Sequence, residues 1–174
     1  MSCTSDITSS IDGRCKTSLG GTSVLYLFNY LENPFTITAG EVTDINSSLS
    51  TVYKYELNGD GNTLEEVLTG DRNTGTSVNV QTVTVLLKKI SATDTAQFNL
   101  LVKGFPMGVV KDRNGVYHAI GIDDGIDFVA TASIGGEKTG MNGTTLVGTS
   151  TTSELSPKFS TSASVISDFE ALVS

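Results

Sequence analysis

The residues best equipped for chemistry stand close together. The stretch VVKDRNGVYHAIGIDDG, residues 109–125, holds Asp112, Arg113, Asp123, Asp124 and the chain's single histidine, His118. A histidine and an aspartate this near each other suggest an acid–base relay, in which the carboxylate hydrogen-bonds and orients the imidazole. Asn114-Gly115 between apolar flanks signals a two-residue type I′ turn, because both turn positions need positive φ. That turn sets Asp112 opposite Tyr117, Lys111 opposite His118 and Val110 opposite Ala119. Side chains alternate along a strand, so Lys111, Arg113 and His118 share one face and Asp112 and Tyr117 the other. On this register the relay does not form. The stretch then reads as a hairpin with a charged tip over an apolar base of Val109, Val110, Ala119 and Ile120.

The other motifs yield no reaction. Asp123, Asp124 and Asp127, and the turn NGDGN at 58–62 with Glu65 and Glu66, raise the question of calcium. An EF-hand loop needs Gly at its sixth position and Glu at its twelfth. Counting from Asn58 gives Thr63 and Thr69, so turn chemistry is the reading there. GGEKTG, at 135–140, lacks the Gly before Lys138-Thr139 that a phosphate-binding loop requires, and a strand is expected after it instead of a helix. No G-x-S-x-G elbow occurs. The sequons at Asn46 and Asn142 matter only in a secreted protein. Cys3 and Cys15, two cysteines with one histidine, do not make an ordinary four-ligand zinc site. They are free thiols in a reducing cytoplasm or a disulfide formed after release from the cell. No catalytic, cofactor or metal residue is assigned, and the chain is expected to be no enzyme.

The elements around these motifs are mostly strands. The chain has 174 residues, 38% of them hydrophobic, with 18 Gly, 3 Pro and no Trp. It is rich in threonine, which favours strands, and in the Gly and Asn that favour turns. After an irregular arm over 1–21, TSVLYLFNYL (22–31) reads as a central strand. Residues 35–38 form a short strand and 39–50 a polar loop. STVYKYEL (50–57) alternates, and TLEEVL (63–68) is expected to pair with it across NGDGN. Residues 69–77 read as an exposed loop. SVNVQTVTVLLKKI (77–90) is the longest strand, but its apolar phase slips between Val78/Val80 and Val83/Val85. Either a bulge lies near Gln81-Thr82 or both faces are partly buried. Residues 91–103 form the one clear helix, capped by Ser91 or Asp94, with Ala96, Phe98, Leu100, Leu101 and Val102 as a stripe for a sheet. Strands follow at 128–134 and 144–152. The SVISDFEALV stretch after the Ser-rich 160s reads as a short helix or a docking arm. The expected fold is mainly β with one helix (α+β): an antiparallel β-sandwich or small barrel of about seven strands flanked by one α-helix. It fills a single domain over 1–174.

Net charge of −8 argues against a nucleic-acid reader, because phosphate binding depends on Lys and Arg displacing counterions. The N-terminus lacks the apolar core of a secretory signal, and no apolar run approaches the ~18 residues of a membrane span, so a cytoplasmic protein without a membrane partner is expected.

Three segments together resemble structural proteins of tailed phages, above all tail tube proteins of phages and prophages of Bacteroides-type bacteria. The first runs from Cys3 through a polar stretch to Cys15-Lys16 and Gly20-Gly21 leading into VLYLFNY. The second is YELNGDGNTLEEVLTGDRNTGT (55–76) before the strand ending Leu87-Lys88-Lys89. The third is VVKDRNGVYHAIGIDDGIDF, then a Gly-rich turn and GTTLVGTSTTSE before Pro157. The resemblance covers most of the chain and rests on the order and spacing of the motifs. It implies a virion protein made in the host bacterial cytoplasm, whose hexameric rings stack into a tube that conducts genomic DNA without reading it. Each subunit would add strands to a continuous inner barrel, while loops at 39–50 and 58–76 and arms at 1–21 and 160–174 join rings to one another and to other tail proteins. Lys111, Arg113, Asp71 and Arg72 are the expected subunit contacts. The rivals are another virion component, such as a head-decoration or neck protein, and a carbohydrate- or surface-binding β-domain. The last requires an aromatic-lined concave patch, for which a chain with no Trp and scattered Tyr offers little.

Overall fold

A computed structural model describes residues 16–174; Cys3, Cys15 and most of the expected N-terminal arm lie outside it. Eleven strands and two helices follow in the order β1 (Thr22–Phe28), β2 (Phe35–Thr38), β3 (Glu41–Ile45), β4 (Tyr53–Glu56), β5 (Thr63–Asp71), β6 (Thr76–Lys88), α1 (Ala92–Leu101), β7 (Met107–Asp112), β8 (Tyr117–Ile120), β9 (Asp127–Ile134), β10 (Asn142–Thr152), β11 (Lys158–Phe159) and α2 (Ala163–Ala171). The mainly β, sandwich-like α+β class matches the sequence reading. The counts do not: eleven strands replace about seven, two helices replace one, and the described residues form no closed barrel. Several missed strands are short and lie where polar composition suggested loop. β3 sits inside the supposed 39–50 loop, turned onto β2 by Ala39 and Gly40, both at positive φ. The supposed loop at 69–77 is mostly strand, reduced to the turn 72–75.

One sheet has seven strands in the order β2-β3-β11-β8-β7-β1-β4, and the other has four in the order β5-β6-β10-β9. All pairs are antiparallel except β11 on β3. β5 therefore pairs with β6 and not, as its sequence position suggested, with β4. Two apolar cores flank the seven-stranded sheet. Between the sheets, Leu25, Leu27, Val110 and Ile120 meet Val83, Val85, Leu146 and Phe128, with Phe98 of α1 closing the side. On the opposite face, Tyr26, Phe28, Val109 and Tyr117 meet Phe35, Phe159 and the α2 residues Val165 and Phe169. β1 is thus buried on both faces, which explains its unbroken apolar run.

The phase slip in β6 involves no bulge. Its register is continuous from Asn79 to Lys88 against β10 and from Thr76 to Thr84 against β5. Asn79 and Gln81 take the core-facing positions while Val78 and Val80 face outward. The buried amides are tolerated because Glu66 anchors them. One of its oxygens, Oε1, accepts from Asn79 (3.1 Å), Gln81 (3.0 Å) and the Ser156 amide (2.9 Å), and Oε2 accepts from the Ser156 hydroxyl (2.7 Å). Burial alone would raise the Glu66 carboxyl, but these donors outweigh it and hold it below the usual range.

Helix α1 begins in a capping box: the Ser91 hydroxyl accepts the Asp94 amide, and Asp94 accepts the Ser91 amide. Its apolar stripe does not lie on a sheet. Only Phe98 is buried, and Leu100 is 63% exposed. Helix α2, within the expected arm at 160–174, packs on the chain's own sheet through the fully buried Phe169, and Val173 bridges to Val52 in parallel.

Candidate functional site

The β7–β8 hairpin is built one residue differently from the sequence reading. Its pairs are Lys111 with Tyr117, Val110 with His118 and Val109 with Ala119. The loop has three residues, Arg113-Asn114-Gly115, and is closed by Asp112, whose amide donates to the Val116 carbonyl at 2.9 Å. Asp112 opens a turn whose carbonyl accepts the Gly115 amide at 3.2 Å, and Gly115 takes φ +85°. The Asp112 carboxylate caps the loop, accepting the Asn114 and Val116 amides at 2.8 Å each. Asp at the first position of a type I turn and Gly at the fourth is the signal that the Asn-Gly pair masked. The three-residue alternative, a type I turn followed by a left-handed glycine, is the next commonest hairpin.

One residue of slip exchanges the faces. Lys111 joins Tyr117, its ammonium 4.7 Å over the ring. Asp112 joins His118, with Oδ2 to Nε2 at 3.7 Å. The pair that the sequence reading separated is therefore brought together beside a cavity of about 320 Å³ lined by Thr22, Thr63, Glu66, Val110, Asp112 and His118. Burial lowers the His118 imidazole below its usual value, against the opposing pull of Asp112. Burial would raise the Asp112 carboxyl, but the loop amides hold it low. At 3.7 Å the two are beyond hydrogen-bond distance. His118 Nδ1 is buried without a partner, and the Ser156 hydroxyl is committed to Glu66. Burial thus favours the neutral imidazole and hydrogen bonds favour the ionised carboxylates, and the cluster spans from β5 of one sheet to β7 and β8 of the other.

The expected contact residues fall in two places. Arg113 Nη2 donates to the Gly59 carbonyl at 2.6 Å, with Asp60 at 3.4 Å, and so ties the 58–62 turn to the hairpin. The Asn114 side chain holds both backbone groups of Leu19. Lys111 lies 3.5 Å from Glu170 of α2, which also accepts the Tyr117 hydroxyl; burial and this carboxylate push the Tyr117 phenol up to about 12. Both cations are thus engaged within the chain. Asp71 and Arg72 sit at the far end of β5, exposed on the β5–β6 turn, where Asp71 Oδ1 accepts the Asn73 amide at 2.7 Å.

Two surface features escaped the sequence reading. The first is a groove of about 740 Å³ at the C-terminal end of β1, lined by Tyr30, Tyr53, Tyr55 and Phe105 with Asn29, Gln97 and Asp124. Three of the five tyrosines meet there because the chain brings β1, β4 and the segment after α1 together. The second is the four-stranded sheet itself. Its outer edges, β5 and β9, each pair on one side only. Its solvent face presents Thr63, Glu65, Val67 and Thr69 of β5, Val78, Val80, Thr82 and Thr84 of β6, Thr145, Val147, Thr149 and Thr151 of β10, and Asp127, Val129, Thr131 and Ser133 of β9. The charges on this face are the acids Glu65 and Asp127, Asp71 at the end of β5, and Lys88 at the rim beside Gly59.

No family model matches the chain, and neither a curated protein nor a solved structure is found to be similar to it.

The remaining motifs resolve into turn chemistry. The Asn62 side chain accepts the Leu86 amide at 2.8 Å, and its carbonyl accepts the Thr22 amide at 3.2 Å. Residues 135–140 form the β9–β10 turn, with a strand and not a helix after it. Among the described residues no three His, Cys, Asp or Glu groups are placed to hold a metal ion, and no helix is long and apolar enough to cross a membrane.

Proposed function

We propose that this chain is a non-enzymatic virion building block, the tail tube subunit of a tailed phage, assembling into stacked hexameric rings around a DNA-conducting lumen. The observation that carries the reading is the four-stranded antiparallel sheet with two long unpaired edges. Exposed edges of this length invite aggregation unless another chain covers them. With an even number of strands, β5 runs opposite to β9, so rotation about an axis near the strand direction joins β9 of one copy to β5 of the next in antiparallel fashion at every joint. Six copies would make a barrel of roughly 24 strands, about 24 Å in radius at ~4.8 Å strand spacing and ~40° tilt, an open channel and not a packed core. The face turned inward would be the threonine- and valine-rich one, whose three acids, Glu65, Asp71 and Asp127, outnumber its one lysine and repel phosphate. Negative-stain microscopy of concentrated protein should show rings or stacked tubes; a persistent monomer would sink the reading.

The aromatic groove favours one rival, a carbohydrate-binding β-domain, since ring faces flanked by amide and carboxylate groups suit a sugar. That reading requires a neutral oligosaccharide to bind at micromolar strength and the exposed-ring change Tyr53→Ala to abolish it without altering stability. Failure of that titration removes it.

A further inference from the structure

We infer the register of the joint between copies: β5 of one copy pairs antiparallel with β9 of the next, with Val67 opposite Val129. The inference rests on the ring reading above and specifies its interface.

The direction of the free backbone groups fixes which registers are open. The Gly135 amide donates to the Met141 carbonyl at 2.8 Å, and the Lys89 amide to the Asn142 carbonyl at 3.3 Å. Hydrogen-bonded pairs alternate along an antiparallel ladder. The odd-numbered residues of β9, Val129 among them, therefore direct their N–H and C=O toward β10, and the odd-numbered residues of β6 direct theirs toward β10 as well. The even-numbered residues of β6 face β5, consistent with the Leu86 amide reaching Asn62. Their partners are the odd-numbered residues of β5, including Val67 opposite Val80. The outward groups are then those of Leu64, Glu66, Leu68 and Gly70 on β5, and of Phe128, Ala130, Ala132 and Ile134 on β9. Only even residues meeting even residues make a ladder, and this parity also keeps the two solvent faces continuous across the joint.

Among the registers that satisfy this parity, side-chain chemistry separates neighbours two residues apart. With Val67 opposite Val129, exposed valines meet on the solvent face; they are 51% and 63% exposed in the single chain. On the other face Leu68 meets Phe128 and Leu64 meets Ala132. Glu65 and Glu66 meet Thr131 and Ala130, and Asp127 meets Thr69, so no like charges oppose. Sliding two residues one way sets Asp71 against Asp127 and Phe128 against Gly70. Sliding two the other way sets Val67 against Asp127 and Glu66 against Phe128. Directly opposed like charges destabilise a strand pair, while apolar pairs stabilise it. The central register alone has matched apolar contacts on both faces and no acid facing an acid.

The test is disulfide trapping of the full chain carrying Cys3→Ser and Cys15→Ser. Val67 and Val129 would form a non-hydrogen-bonded pair, the closer kind, within disulfide reach. Val67→Cys with Val129→Cys should give, on mild oxidation, a ladder of linked subunits ending in a closed ring. Thr69→Cys with Val129→Cys, and Val67→Cys with Asp127→Cys, probe the two shifted registers and should link roughly tenfold less, diagonal neighbours lying about 7–8 Å apart. Either single cysteine alone should give no linked pair; a dimer there would mean β5–β5 or β9–β9 pairing and would overturn the inference. Rings or tubes by microscopy that link equally well, or better, in a shifted register overturn the register and leave the ring reading standing. No assembly by microscopy at any concentration overturns both. A separate pair keeps the result independent of thiol chemistry: Val129→Asp should block assembly, and adding Val67→Lys should restore it.

Discussion

Replacing Phe169 by alanine tests whether the last fifteen residues are part of the fold or an arm held for neighbours. The ring is completely buried. It meets Tyr26 edge-on at 5.3 Å and Phe159 edge-on at 5.1 Å, and it lies tilted 6.3 Å from Phe35. Truncating a buried phenylalanine costs about 3–5 kcal/mol through lost transfer energy and the cavity left behind. The floor of this site is β1 and β11, each paired on both sides, so that α2 is the element free to move in and fill the space. The two edge-on ring pairs add about 0.5–1.5 kcal/mol each beyond area burial. A loss near 4 kcal/mol is therefore expected. With a urea m-value of roughly 2 kcal/mol/M, the unfolding midpoint of dilute, unassembled protein should fall by about 2 M at unchanged m. A loss under about 1 kcal/mol would refute the reasoning, because a side chain with these contacts cannot be removed so cheaply. It would mean that α2 is undocked in the single chain and that its apolar face serves another copy.

Three further outcomes follow from the same structure. His118 has a folded pKa below its ordinary value, so between the two values the unfolded chain binds more protons, and stability should fall as pH drops through the ordinary imidazole range; comparing unfolding free energies of wild type and His118→Gln from pH 7.5 to 5.0 should show that slope in the wild type alone, and equal slopes would contradict it. Glu66→Ala should cost about 2–4 kcal/mol in urea unfolding, since Gln81 and Ser156 are left with unmet donors, and a cost below about 0.5 kcal/mol would show the network to be dispensable. Gly115→Ala should cost about 1–2 kcal/mol because φ is +85° with nothing near the added Cβ; a neutral result would mean that Gly115 does not hold the left-handed conformation in solution.

Sequence patterning made the class of the fold legible. Alternation and β-branched content marked β1, β6, β9 and β10, and Ser91 or Asp94 as a cap marked the start of α1. It could not count the strands, because β3 and β11 are short and polar and exist only through partners from elsewhere in the chain. The slip in β6 was visible as a pattern, but its cause was a half-buried carboxylate contributed by β5. The candidate site was misread by a single residue: Asn114-Gly115 fits two hairpin loops, and the Asp112 side chain selects the longer one by capping it.

What the sequence determined by itself is local: strand periods, caps, turn residues, and an acidic composition with a net charge of −8. The tertiary structure alone decided which strands share a sheet, which faces His118 and Asp112 occupy, how three distant tyrosines line one groove, and that β5 and β9 are left as open edges. Those outcomes depend on long-range pairing. A strand's free edge is defined by the neighbour it lacks, and no local pattern records that.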